Sequence, residues 1–323
     1  MQPPMDDEQP IELVIKAQLH LAQHQRVEHL FDMRADKPLG EHVQEVHGMF
    51  GGVAALGLDA ADMALWVPAH ARWLTADEWA DGVAHERYWV HEGATLQLRL
   101  SPERDAADVV WLLHNSKDAP LLALCSELPI RLVDAHFGSA FTEYGGVETL
   151  LGLATERDDP PEVQAQALAA LSSAIAFPQA MERLLSADGA ARLVRITHAD
   201  MLASEHIASA VCAALDLLSA LCMRSDGFVI VHGATVRIAS EREEPSHAQL
   251  VKLVENASEV RVRTAALSLI NGLVLSSGAG ASRTKLDTLL RERLLLPEVL
   301  SSRLDACGGQ ASAGATAAPE RPE

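Results

Sequence analysis

From about residue 106 onward, the tripeptide Ala-Ala-Leu occurs at 169–171, 213–215 and 265–267, each time inside an apolar stretch of helix formers. The copies begin 44 and 52 residues apart, and their flanks agree: Glu162-Val163 precedes the first and Glu259-Val260 the third. A second echo sets Gly145-Gly146-Val147 before Leu150-Leu151 against Asp188-Gly189-Ala190 before Leu193-Val194. Each member of that pair reads as a helix that opens on a glycine and carries a Leu/Val stripe. One such repeat cannot bury its apolar face alone, so neighbouring repeats must stack.

A spacing in the low forties, with small residues where helices cross, is the signature of armadillo or HEAT-like repeats. Alanine suits those crossings because it lets helix axes approach closely. An irregular helical bundle is the alternative. Helical patterning runs from about residue 106 to 300, and the Ala/Gly/Ser/Pro-rich tail is expected to be disordered. The expected division is a disordered start (1–9), a first domain (10–104), an armadillo-like domain (105–305) and a disordered tail (306–323).

The first domain differs in composition and pattern. Four of the five tryptophans (Trp66, Trp73, Trp79 and Trp89) precede residue 105. Ile11, Leu13, Ile15, Ala17 and Leu19 alternate with mostly polar residues, the period of a half-buried strand. Arg26–Met33 is a second candidate strand, with Val27, His29, Phe31 and Met33 on one side and Gln23-His24-Gln25 as a hairpin loop before it. Pro38 suits a first helical position. Leu39, Val43, Val46 and Phe50 follow at helical spacing until Gly51-Gly52. Ala64–Val67 and Arg72–Thr75 read as short strands. Thr95–Leu100 is the clearest strand, with Leu96, Leu98 and Leu100 inward. Hairpin, helix, short strands and final strand is the order of a ubiquitin-like β-grasp. The expected fold is therefore mostly α with an N-terminal α+β domain: a β-grasp followed by an armadillo/HEAT-like solenoid.

Charge narrows the partners. The chain holds 26 Lys+Arg against 45 Asp+Glu, a net charge of −19. Nucleic-acid affinity rests on neutralising phosphates with basic groups, and docking on anionic lipid needs a polybasic run, so neither is expected. Residues 1–105 hold 18 acidic and 8 basic groups, so the first domain shares the acidity. The four cysteines (Cys125, Cys212, Cys222 and Cys307) lie far apart, as in a reduced intracellular protein. The acidic, proline-containing start is unlike a signal peptide. The apolar stretches fall short of the roughly 18 uninterrupted residues of a membrane span. A cytoplasmic location is expected.

No catalytic constellation stands out. Glu41-His42-Val43-Gln44-Glu45-Val46-His47 is not the zinc-protease motif, and its histidines lie five apart, off a common helix face. Surface positions are expected for the histidines. Ser277–Ser282 has the glycines of a phosphate loop but lacks the Gly-Lys-Ser/Thr ending and follows a helix. Cys125, Cys212 and Cys222 read as core residues, and Glu243-Glu244 as a solvated turn. The expectation is no enzyme, no cofactor and no metal.

Two features suit binding. An exposed strand at Arg26–Met33 can accept a partner strand through main-chain hydrogen bonds. Arg26, Glu28, Leu30, Arg34 and Lys37 are its candidate contacts. The second feature is the inner face of the solenoid. Asn271, expected there as a buried residue, would either bind a partner's backbone amide or satisfy a neighbouring turn.

Several segments resemble the N-terminal part of the ELMO (engulfment and cell motility) family. They are Lys37-Pro38-Leu39, the strand 94–100 ending in Ser101-Pro102, the helix start at 106–113, Phe137–Glu156 with Gly145-Gly146-Val147-Glu148-Thr149-Leu150-Leu151, and Ser268–Val274. Ile270-Asn271 also resembles the armadillo region of diaphanous-type formins. The ELMO resemblance implies a ubiquitin-like Ras-binding domain followed by an armadillo-like domain. Its implied partner is the GTP form of a Rho- or Arf-class small GTPase. The implied setting is Rac activation through a DOCK-type exchange factor, actin remodelling, motility and engulfment. That family's later domains are missing from this chain. A generic armadillo scaffold binding a peptide in its groove is the other expectation. A binder of γ-phosphate-ordered switch segments selects GTP over GDP, but the acidity of the first domain opposes an acidic partner.

Overall fold

The computed structural model of the chain describes residues 12–19, 28–34, 36–51, 53, 56–79, 90–91, 93–156, 159–199, 205–224, 226–245 and 247–276. The hairpin loop at 23–25, Arg26, the glycine-rich segment 277–282 and both termini lie outside these residues. The chain is mostly helical with a small N-terminal sheet, and it divides into two compact units. The first holds residues up to His114 together with Asp134–Tyr144. The second holds Asn115–Val133 and the chain from Gly145 onward.

The first unit contains five strands: β1 (Glu12–Leu19), β2 (Glu28–Arg34), β3 (Met63–Val67), β4 (Arg72–Trp73) and β5 (Thr95–Leu100). Their order in the sheet is β2-β1-β5-β3-β4. β1 and β2 are antiparallel with Ile15 opposite Phe31, while β1 and β5 run parallel with Ala17 opposite Leu96. Period-two alternation explains which face is buried. Ile15, Ala17, Met33, Leu96 and Leu98 have no exposure, and Leu100 is only partly buried against the same core. Helix α1 (Leu39–Met49) adds Val43 and Val46 to that core. Pro38 sits one residue before the helix, where its extended φ and ψ suit the cap position.

The opposite face of the sheet is partly covered. Trp66 and Trp73 meet edge-to-face at 5.1 Å, and the Arg99 guanidinium lies 4.7 Å over the Trp66 ring. Burial pushes the Arg99 pKa down, and Asp134 partly offsets this. The rest of the unit comprises α2 (Pro102–Asn115, up to His114) and α4 (Ala135–Glu143). Asp134 serves two elements. Its carboxylate accepts from the Trp73 indole N–H at 2.7 Å, and from the backbone N–H groups of His136 and Phe137 at the start of α4. Asp134→Ala removes both the helix cap and the indole partner. We expect a loss of about 1–2 kcal/mol in urea unfolding followed by tryptophan fluorescence.

The second unit contains α3 (Asp118–Arg131), α5 (Gly146–Thr155), α6 (Pro161–Ala174), α7 (Pro178–Ser186), α8 (Gly189–Ile196), α9 (Glu205–Cys222), α10 (Gly227–Glu241), α11 (Ala248–Asn256) and α12 (Val260–Ser276). The long helices α3, α6, α9 and α12 pack successively on one another. Short helices fill the second layer, with α8 against both α9 and α10, and α11 against α12. The three Ala-Ala-Leu copies fall on α6, α9 and α12, three successive helices of that stack. Ala170, Ala214 and Ala266 are all fully buried, as close helix crossings require. The third copy is turned in phase, for Leu171 and Leu215 are buried but Leu267 is 44% exposed.

One expectation is corrected here. α9 spans 18 residues with a mean hydropathy of 1.4, so by length and composition it could cross a membrane. Half of it is buried, and it packs between α6 and α12, inside this stack. Ser, Asp and Cys in its sequence did not disqualify it, because their polarity is small against eight buried Ala, Val and Leu residues along the helix.

Candidate functional site

β2 lies at one end of the strand order, so one side of it is not paired within the described sheet. Phe31 and Met33 point into the core, while Glu28, Leu30 and Asp32 face outward. Leu30 is 67% exposed, a large apolar side chain left on the outer face. Glu28 accepts from the Gln18 amide at 2.7 Å, which ties it to β1.

The turn after β2 is pinned from below. His42, on α1, has no exposure, and its Nε2 lies 2.9 Å from the Arg34 carbonyl oxygen. Its ring packs edge-on between Phe31 and Trp79, at 5.5 Å from each. The Trp79 indole N–H donates to the Lys37 carbonyl at 3.0 Å. The backbone at Arg34 and Lys37 is therefore held at both ends by buried rings. This corrects the expectation of surface histidines: helix periodicity places His42 beside Val43 and Val46 on the core face.

The two cations on this turn already have anions. Arg34 makes a two-point contact with Asp36, at 3.0 Å from Nε and 2.8 Å from Nη2. Lys37 Nζ lies 2.5 Å from Glu45 Oε1. Arg34 holds the Asp36 carboxyl below its ordinary range by hydrogen bonding, and Lys37 does the same to Glu45. The structure thus brings Glu28, Leu30, Arg34 and Lys37 to one edge, but the charges of Arg34 and Lys37 are neutralised locally. Arg26 lies outside the described residues. Arg34 and Asp36 are two apart in sequence, so their pairing was open to reading. Lys37 and Glu45 are eight apart and meet only through the start of α1.

Asn271 is exposed on α12, so it is not the buried residue expected. It shares the exposed side of that helix with Thr264, Leu267 and Ser268. Polar ties cross the stack: His206 on α9 lies 3.6 Å from Glu162 on α6, and the Ser276 hydroxyl donates to the Cys222 carbonyl at 3.1 Å. Cys125 and Cys222 are buried core residues, and burial pushes the Cys222 thiol up to about 12. Cys212 departs from that expectation. It is half-buried, its sulfur 3.9 Å from both Asp216 Oδ2 and the Arg261 carbonyl, and burial and then Asp216 raise its pKa. A raised pKa leaves the thiol protonated and poorly nucleophilic. Among the described residues no cluster of three or more His, Cys, Asp or Glu is arranged to hold a metal ion.

Residues 161–292, from α6 through α12 and beyond, match the family model of the FHOD1/3 FH3 domain. No curated protein matches the chain significantly. Among solved structures, E. histolytica Formin1 bound to EhRho1-GTPγS shares 18% identity with a TM-score of 0.48, over 62% of this chain and 69% of that one. A designed armadillo repeat protein in complex with the peptide (KR)4 shares 18% identity with a TM-score of 0.42, over 63% of this chain and 80% of that one. The FH3 match overturns the resemblance to the ELMO family. The short segments that suggested it are helix pieces with Leu/Val stripes and one alternating strand, patterns that unrelated folds share. The implied DOCK-type exchange factor, Rac activation and engulfment fall with it. The matched residues include Ile270-Asn271, and it is with an FH3 domain that the helices α6–α12 show similarity.

Proposed function

We propose that the chain is a non-enzymatic binding scaffold, with an FH3-like, armadillo-like helical unit as its partner-binding part. The match of residues 161–292 to the FH3 family model carries this reading, because it coincides with the stacked helices α6, α9 and α12. The exposed side of α12, with Leu267, Ser268 and Asn271, offers apolar and hydrogen-bonding groups along one helix. The proposed partner is a GTP-bound small GTPase of the Rho class, in an actin-related setting. A peptide partner on the same face is the alternative within this reading.

A second reading rests on a different observation. The strand order β2-β1-β5-β3-β4 with a parallel β1–β5 pair supports a ubiquitin-like domain over residues 10–104. Its edge strand β2, with Leu30 exposed, would pair beside a switch segment. Paired Arg34 and Lys37 weigh against this, since an acidic partner gains little from cations already neutralised.

One experiment separates the two. Immobilised Rho-class GTPases, loaded with GTPγS or GDP, are titrated with the full chain and with Leu267→Arg/Asn271→Arg and Leu30→Arg. The helical reading expects GTPγS-dependent binding that weakens at least roughly tenfold in the α12 double variant, as for loss of a contact worth about 1.4 kcal/mol or more. Loss only in Leu30→Arg favours the β2 edge. Absence of nucleotide-dependent binding to every member removes the GTPase and leaves the peptide partner.

A further inference from the structure

Two histidines in the second unit meet between the first half of α10 and the start of α11. His232, on α10, and His247, which caps α11, approach with Nδ1 and Nε2 3.2 Å apart. Their rings are edge-to-face at 5.1 Å, and Phe228 stacks on His232 at 5.2 Å. His247 is 4% exposed and adopts left-handed backbone geometry, φ 64°. Its Nδ1 is buried and has no hydrogen-bond partner. Its carbonyl accepts from Val251 N–H at 3.2 Å, opening α11.

Proton counting decides how this pair behaves. Two neutral imidazoles carry two protons on four nitrogens, so one N–H can donate across the gap to a bare nitrogen. An orphaned buried acceptor costs less than an orphaned buried N–H. The favoured arrangement is therefore His247 Nε2–H donating to His232 Nδ1, with His247 Nδ1 bare. A third proton leaves only one bare nitrogen. If that nitrogen serves the hydrogen bond, His247 Nδ1 must carry a proton with no acceptor. If it does not, the bond between the rings breaks.

The surroundings supply little relief. His198, after α8, lines the same small cavity, and burial pushes its own pKa down. Glu244 lines it too: Lys252 of α11 engages its Oε1 at 3.0 Å, its buried Oε2 has no hydrogen-bond partner, and its charge acts on His198 and not on His247, with Arg242 on the same turn. α9 and α12 present only Leu218 and Leu269 to it. Burial, then His232, pushes the His247 pKa down to about 4.

We infer that the His232–His247 pair is an acid-released clasp, which holds the start of α11 on α10 while both rings are neutral and lets go on proton uptake. An unfolded histidine titrates near 6.5. The folded state thus binds fewer protons than the unfolded one between about 6.5 and about 4. The stabilisation is complete above that window and is lost as pH falls through it.

The test compares the full chain with His247→Asn, because asparagine tolerates left-handed geometry and does not titrate. Urea unfolding is followed by far-UV circular dichroism from pH 7.5 to 5.0. Below pH 6.5 the folding equilibrium constant of the natural chain is expected to fall more steeply than that of the variant. The excess approaches about tenfold per pH unit, the linkage of one proton. The His247 ring resonances of the folded natural chain are expected to titrate well below 6.5. Equal slopes in the two proteins overturn the clasp, as does a His247 ring titrating at 6.5 or above. The ring titration needs only the natural chain, so it decides the matter even where the variant fails to fold.

Discussion

Trp79→Ala is expected to destabilise the first unit by about 3–5 kcal/mol, the range for truncating a buried large aromatic. Trp79 is 4% exposed, belongs to the sheet–helix core and packs on the buried His42 ring. The change removes its area and also the indole N–H that satisfies the Lys37 carbonyl. Trp79→Phe separates these effects. It keeps most of the ring but not the donor, so about 1–2 kcal/mol is expected. All five tryptophans lie between residues 66 and 111. The fluorescence of the remaining four therefore reports this unit in urea unfolding. A loss under about 1 kcal/mol for Trp79→Ala would mean that the ring does not hold the turn after β2. The two rigid anchors of Arg34 and Lys37 would then reduce to His42 alone.

Gly227→Ala is the second large effect, at about 3 kcal/mol, the upper end for overpacking a tight site. A Cβ on Gly227 would stand 1.7 Å from the Leu221 carbonyl oxygen and 2.7 Å from its carbon. Both are backbone atoms at the end of α9, so no side chain can rotate aside. Either α10 shifts at its start or the end of α9 moves, and both disturb the layer beside the central stack. Gly233→Ala on the same helix is the control. Gly233 is exposed, and a Cβ there meets nothing within 4 Å. Replacing a mid-helix glycine in open space should stabilise by roughly 0.5–1 kcal/mol. Opposite signs in far-UV unfolding curves confirm the packing argument. A destabilisation of similar size in both variants would contradict it.

These effects show how unevenly the sequence spoke. Local periodicity was read well. Thr95–Leu100 was expected as a strand with Leu96 and Leu98 inward, and it forms β5 with both buried. Leu39, Val43 and Val46 marked the buried side of α1. The Ala-Ala-Leu copies fell on successive helices of one stack because a buried crossing demands small side chains wherever it recurs. The same tripeptide could not say that its third copy is rotated. Helix phase relative to a neighbour depends on the whole interface, and Leu267 turned outward.

The candidate site was less legible. Leu30 and Glu28 lie on the edge strand β2, but Arg34 and Lys37, the cations named as contacts beside them, are already bound by Asp36 and Glu45. A composition-level charge reading sees only the sum, whereas the field at a surface depends on which carboxylate lies within about 4 Å. Asn271 was expected as a buried residue on the inner face of the solenoid, yet one helical step of 100° is enough to carry a side chain from core to solvent.

The sequence by itself determined the helix-rich second part, the strand-and-helix order of the first, the excess of acid and the small residues at helix crossings. Each follows from propensity and period, which act within a few residues. Only the tertiary structure decided the long-range pairings. It set Trp79 under Lys37, 42 residues away, Asp134 between Trp73 and α4, and Gly227 against the end of α9. It also brought His232 within 3.2 Å of His247, with one nitrogen sealed from water. Burial and proximity of this kind are properties of packed surfaces, and a titratable ring acquires its chemistry from the neighbours that packing supplies.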